Sequence, residues 1–323
     1  MVGIIDGGAT GAHLALVSAD QRLLASMEVT QGVCAGPERT LQAYIDAMNS
    51  MISGLKTPLP LVKVVIGLPA RIDTDTSLPV RPTIMPGWDA FPVAGVLEDA
   101  WGADVLVEND VNLRCVGEAC WGPVEWLPIL AIKVGTGIGA GLIDKYGHIY
   151  HGYRGAAGEI GHMPARGASP DLVCTCGAVG CVEANASIHA MLVKLSREAS
   201  SDSVRRGMTL PELLENVRNQ DRATMEVVAD AADTLGDAVA VLCNVLNPRR
   251  VMITCALSEV TDDYLARIRS EVYKKARPLA SREVIIGYSP LGSNVGVAGG
   301  IALALDDGLS ILARRALQNP WNG

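Results

Sequence analysis

Short apolar runs and longer amphipathic stretches alternate along this chain. Residues 2–5 are apolar and lead into the turn Asp6-Gly7-Gly8-Ala9-Thr10-Gly11; a second apolar run at 13–17 and a third at 23–25 follow. Runs this short, separated by Gly-rich or polar turns, predict strands joined as hairpins. Residues 38–55 place Leu41, Tyr44, Ile45, Met48, Met51 and Ile52 on one side of a helix. Pro58 and Pro60 break that pattern before a strand at 61–68. The Pro-rich stretch from there to Trp88 reads as a lip over a pocket. Val93, Val96, Leu97, Ala100 and Trp101 mark a short helix, and residues 104–107 a strand.

The wording of the first hairpin returns at 130–150: an apolar run, Gly135-Thr136-Gly137-Ile138-Gly139, the apolar pair Leu142-Ile143, a polar turn at 144–147, then His148-Ile149-Tyr150. A shift of 128 positions lays Gly7 on Gly135, Gly11 on Gly139 and Leu14 on Leu142, as a duplication with one copy per lobe would. Beyond Glu183 the chain reads as mostly helical. Ile188, Met191, Leu192 and Leu195 share one face, and Thr209-Leu210-Pro211-Glu212 is a capping box. Residues 221–246 form one long Ala- and Val-rich helix, followed by a strand at 251–253, a helix at 262–275 and a strand at 284–286. The small residues Gly296, Gly299 and Gly300 open a closely packed helix, and a last helix to about residue 317 is expected to return to the first lobe. Strand and helix alternating in this way predict an α/β protein.

Composition narrows the class. At 323 residues and 49% hydrophobic, the chain suits one large unit or two lobes with ample core. A net charge of -8 argues against a nucleic-acid surface, which needs a basic patch. The first residues carry no basic segment of a signal peptide, and no apolar run reaches the length of a membrane span. Five of the eight cysteines are scattered, which fits a reducing compartment better than a disulfide framework. The expectation is a cytoplasmic protein whose partners are small molecules.

Four stretches carry candidate chemistry. Cys174, Cys176 and Cys181 fall within eight residues, with Gly177 and Gly180 to turn the chain between them. That spacing suits structural zinc, which takes four tetrahedral N or S ligands. His162 is the nearest candidate for the fourth, with His151 and His189 as rivals; the bland alternative is three reduced cysteines packed as small apolar residues. Metal binding would fix Glu159 and Glu183 as carboxylates close by. The two glycine turns could present backbone N–H groups to phosphate oxygens, with Thr10 and Thr136 adding hydroxyls and Asp6 holding Mg²⁺ directly or through water; alternatively they are bare hairpins. Asn109 and Asp110 follow a strand end, where open α/β sheets bind ligands. Either could equally cap the next helix.

Gly158-Glu159-Ile160-Gly161-His162, followed by Cys-x-Cys-Gly-x-x-Gly-Cys-x-Glu at 174–183, resembles the signature of the ROK family of bacterial sugar kinases and sugar-responsive repressors, in its zinc-containing branch. The likeness extends to residues 6–10, to Glu108-Asn109-Asp110-Val111-Asn112 and to 135–141, in family order. The resemblance implies a two-lobed, actin-like or hexokinase-like ATPase fold of ribonuclease H type, with lobes at 1–110 plus 303–323 and at 111–302. It implies Asp110 as the base that takes a proton from a sugar hydroxyl, with Asn109, Glu159, His162 and Glu183 bonded to other hydroxyls. Asp6, Gly8, Thr10, Gly135, Thr136, Gly137 and Gly139 would hold Mg²⁺ and ATP; zinc would sit on His162, Cys174, Cys176 and Cys181; and a homodimer is expected. Kinases of the family carry glycines against adenosine where this chain has Thr254-Cys255-Ala256. The activity implied is an ATP-dependent hexose or N-acetylhexosamine kinase, and the second reading is a sugar sensor of the repressor branch lacking phosphotransfer. Repressors of the family carry a helix-turn-helix ahead of the first glycine motif, and this sequence has no room for one before Asp6.

Overall fold

The computed structural model describes residues 1–57, 59–168, 172–198 and 207–305. The strands are β1 (Val2–Gly7), β2 (Ala12–Val17), β3 (Leu23–Val29), β4 (Lys63–Leu68), β5 (Asp104–Asn109), β6 (Ile129–Val134), β7 (Ile138–Ile143), β8 (Arg250–Cys255) and β9 (Ile285–Tyr288). The helices are α1 (Pro37–Ser53), α2 (Val93–Trp101), α3 (Asp110–Trp121), α4 (Val182–Ala186), α5 (Ile188–Glu198), α6 (Leu210–Arg218), α7 (Arg222–Leu246), α8 (Asp263–Lys275), α9 (Pro278–Ser281) and α10 (Val295–Ala304).

One sheet has the order β3-β2-β1-β4-β5, the other β7-β6-β8-β9. In the first, β1 runs antiparallel to β2 and parallel to β4, and β4 runs parallel to β5. If β6 and β7 stand for β1 and β2, and β8 and β9 for β4 and β5, the second sheet repeats the first without its outer strand, the order a duplication leaves.

The chain divides into two compact units, one of Met1–Ala131, Gly141–Gly158 and the described residues from Leu291, the other of Ile132–Ala140 and Glu159–Pro290. The sequence boundaries would have put α3 and α10 with the second lobe. Here both belong to the first unit, because bare glycine backbone lets the two helices touch. A Cβ on Gly117 would lie 2.2 Å from the Val295 carbonyl oxygen, and one on Gly299 would lie 1.7 Å from that of Leu113. The expected last helix falls outside the described residues.

In the first unit α1 buries Leu41, Tyr44, Met48 and Met51 over the sheet, the stripe its spacing predicts. The Pro-rich loop is pinned at two of its residues. Met85 and Trp88 are almost wholly buried, and the Trp88 indole N–H donates to the Val33 carbonyl at 2.9 Å, so the loop is anchored in the core. In the second unit α7 starts at its cap Asp221, whose carboxylate accepts from Thr224 N–H at 2.9 Å. Of the Thr254-Cys255-Ala256 segment, Cys255 ends β8 with its side chain buried, where desolvation pushes its thiol up to about 12. No helix among the described residues is long and apolar enough to cross a membrane.

Candidate functional site

In the first unit the parallel strands β1, β4 and β5 deliver their carboxyl ends to one edge of the sheet. Asn109 ends β5 in extended conformation and caps α3: its Oδ1 accepts from the backbone N–H of Val111 and Asn112 at 2.9 and 3.1 Å. Its Nδ2 donates to the Ala70 carbonyl just past β4, at 3.0 Å. The amide thus keeps one N–H for anything else. Asp110 is the first helical residue and only 2% exposed. Of the two capping candidates, the structure uses Asn109.

Glu108, which the sequence did not single out, organises this corner. Its Oε1 accepts from Asn109 N–H at 2.7 Å and from Asn112 Nδ2 at 3.0 Å; its Oε2 accepts from His151 Nε2 at 2.8 Å. The hydrogen bond to Glu108 holds His151 above its ordinary pKa of 6.5, against burial. That pairing takes His151 out of the contest for a metal, and His189 is exposed on α5.

The first glycine turn is a tight one, with Gly8 N–H donating to the Gly11 carbonyl at 2.8 Å and Thr10 exposed at its tip. Gly32 braces it, since a Cβ there would meet the Ala9 carbonyl oxygen at 2.1 Å. Asp6, just before the turn, is 4% exposed. Its Oδ2 accepts from Arg114 Nη2 of α3 at 2.6 Å. Asp6 Oδ1 and Arg114 Nε are buried without a hydrogen-bond partner among the described residues. A direct Mg²⁺ bond at Oδ2 would have to displace Arg114.

In the second unit Thr136 is exposed at the tip of the other glycine turn, and Gly135 N–H donates to the Gly137 carbonyl at 2.9 Å. Glu183, in the first turn of α4, accepts from Ile138 N–H at 3.0 Å and lies close over Gly137, where a Cβ would come 2.7 Å from its Oε2. Gly139 continues the chain into β7.

His162, Cys174, Cys176 and Cys181 come together, their donor atoms all within 4.8 Å of one another. Cys176 Sγ lies 3.7 Å from Cys181 Sγ, and Cys174 Sγ lies 3.7 Å from His162 Nδ1. Metal–sulfur bonds of about 2.3 Å in a tetrahedron give ligand separations of about 3.8 Å, so the four fit one ion. The other ring nitrogen, His162 Nε2, faces Glu159 Oε2 at 3.6 Å, the kind of outer carboxylate that orients a metal-bound imidazole. Burial raises the thiol pKa of Cys174 and pushes Cys181 up to about 12, whereas the N–H of Ala178 lowers that of exposed Cys176. A bound cation would offset the cost of ionising the buried pair.

A profile of the ROK family matches residues 2–307. The chain belongs to the ROK family. Among ROK proteins it is 29% identical over 310 residues to a glucokinase of Halalkalibacterium halodurans, spanning 92% of each chain. It is 28% identical over 320 residues to a putative xylose repressor of a Caldicellulosiruptor species, spanning 95% of this chain and 78% of the repressor. The crystal structure of a ROK hexokinase from Thermus thermophilus matches with a TM-score of 0.72 at 25% identity, over 94% of this chain and 97% of that one. The two-sheet α/β architecture is therefore the hexokinase-like ATPase fold of ROK proteins, and both sugar kinases and repressors stand among the relatives.

Proposed function

We propose that the protein is an ATP-dependent sugar kinase acting on a hydroxyl of a hexose or N-acetylhexosamine, with Asp110 as general base. The observation that carries this reading is the setting of Asp110: a buried carboxylate at the head of α3, held in place by the Asn109 cap and the Glu108 network. In phosphoryl transfer the transition state is loose, so positioning does most of the work and the base need only take the proton late. Asp110 would accept the proton of the sugar hydroxyl as that oxygen bonds to the γ-phosphorus and ADP departs.

Asn109, Glu159, His162 and Glu183 are the hydroxyl partners in this reading, as the resemblance implies; the glycine turns with Thr10 and Thr136 would take the phosphates. Magnesium enters with ATP. Zinc is the ion proposed for His162, Cys174, Cys176 and Cys181, where it would hold the loop in shape and take no part in the chemistry.

A second reading, a sugar-binding sensor without phosphotransfer, is favoured by the Asp6–Arg114 ion pair, which occupies the carboxylate that a kinase would turn toward magnesium. ADP release with Mg-ATP across a panel of hexoses separates the two. Turnover with one sugar is the expected result. A sugar that raises the melting temperature while none is turned over would replace the kinase by the sensor.

A further inference from the structure

We propose that Arg114 is the built-in counter-cation of Asp6 and sets how readily that carboxylate takes a divalent metal. The kinase reading enters only as the reason a metal would come to Asp6.

The pair is built into the first unit from three elements. Asp6 lies near the end of β1, Arg114 one turn into α3, and Gly296 at the start of α10 closes over them; a Cβ at Gly296 would lie 2.0 Å from Asp6 Oδ2 and 2.9 Å from Oδ1. The side chains of Asp6 and Arg114 are 2% and 13% exposed, and the contact is 2.6 Å. Water therefore screens this charge pair little. The Tyr44 hydroxyl reports the same enclosure, raised in pKa by burial first and by the charge of Asp6 second.

A guanidinium is always charged and weakly hydrated, so it stays in such a place where an ammonium would shift its pKa or leave. While it holds Oδ2, an approaching dication meets a neutralised carboxylate and a like charge beside it. The orphaned Oδ1 and the orphaned Nε show that the pair is not saturated. It has one acceptor and one donor in reserve, enough to rearrange if a metal or phosphate arrives.

Manganese is the probe, read by the electron spin resonance of the free ion in the presence of a non-hydrolysable ATP analogue, on the full chain. Removing the charge in Arg114→Met while keeping an apolar stem is expected to tighten Mn²⁺ binding by about tenfold or more. Asp6→Asn is expected to stay within about threefold of the wild type, because Asp6 contributes little to the metal while Arg114 holds it. A folded Arg114→Met that binds Mn²⁺ no tighter than the wild type would overturn the inference. So would a loss of about tenfold in Asp6→Asn, which decides the matter alone if Arg114→Met fails to fold. Turnover does not enter this test. If the wild type turns over no sugar and Arg114→Met still binds Mn²⁺ more tightly, the kinase reading falls and the counter-cation stands.

Discussion

Glu183 accepts a hydrogen bond from the Ile138 backbone N–H at 3.0 Å through Oε2, and its Oε1 accepts one from the Thr175 hydroxyl at 3.1 Å. One carboxylate thus ties the cysteine loop to the second glycine turn. Losing a charge-assisted hydrogen bond of this kind costs about 1–3 kcal/mol locally. Glu183→Ala is therefore expected to speed hydrogen exchange at the Ile138 amide by roughly tenfold, and unchanged protection there would contradict the link.

The cysteine cluster predicts about one zinc per purified chain. Cys174→Ser should lose the metal and melt at a lower temperature, and chelation should reproduce that loss in the wild type. Elemental analysis with thermal melting checks both.

Asn109 caps α3 with two backbone donors. Asn109→Ala should cost about 1 kcal/mol of stability, and Asn109→Asp, which keeps the acceptor, much less. Denaturant titration of the two variants separates a cap from a residue that serves only a ligand.

His151 is raised in pKa by Glu108, so its pairing stabilises the fold fully below the unfolded value near 6.5 and loses that contribution as pH rises through the folded value. His151→Gln should therefore lower the melting temperature at pH 6 and have little effect at pH 9. Equal losses at both would mean that packing, not charge, is what His151 supplies.

The contact of α3 with α10 needs glycine. A Cβ at Gly299 would fall 1.7 Å from the Leu113 carbonyl oxygen, so Gly299→Ala must push the helices apart. A loss of at least about 2 kcal/mol in denaturant unfolding is expected.

Periodicity made much of this structure legible. The α2 helix spans Val93–Trp101 as its apolar spacing predicts, and α7 and α8 begin within a residue of the expected positions. The capping box also stands, with Thr209 N–H donating to Glu212 at 2.9 Å. Elsewhere the deciding contact joins distant residues. Arg114 meets Asp6 across 108 positions and His151 meets Glu108 across 43, and no local pattern marks either pair. The glycines of α10 announced close packing but not its partner. In the Pro-rich loop proline signals an irregular backbone and says nothing of burial; Trp88, the largest fully buried side chain among the described residues, marks where the loop is anchored. The Cys-x-Cys spacing was read easily, since its ligands lie in one short segment, and only the choice among His162, His151 and His189 needed the fold.

In the kinase reading Asp110 takes the proton of a sugar hydroxyl. The most direct measurement compares Asp110→Asn with the wild type on the sugar that is turned over, recording kcat by coupled ADP release and sugar binding by the shift in melting temperature. Loss of a general base is expected to lower kcat by about 10²–10⁴-fold with the sugar-induced shift retained. A kcat within a few-fold of the wild type would contradict the assignment.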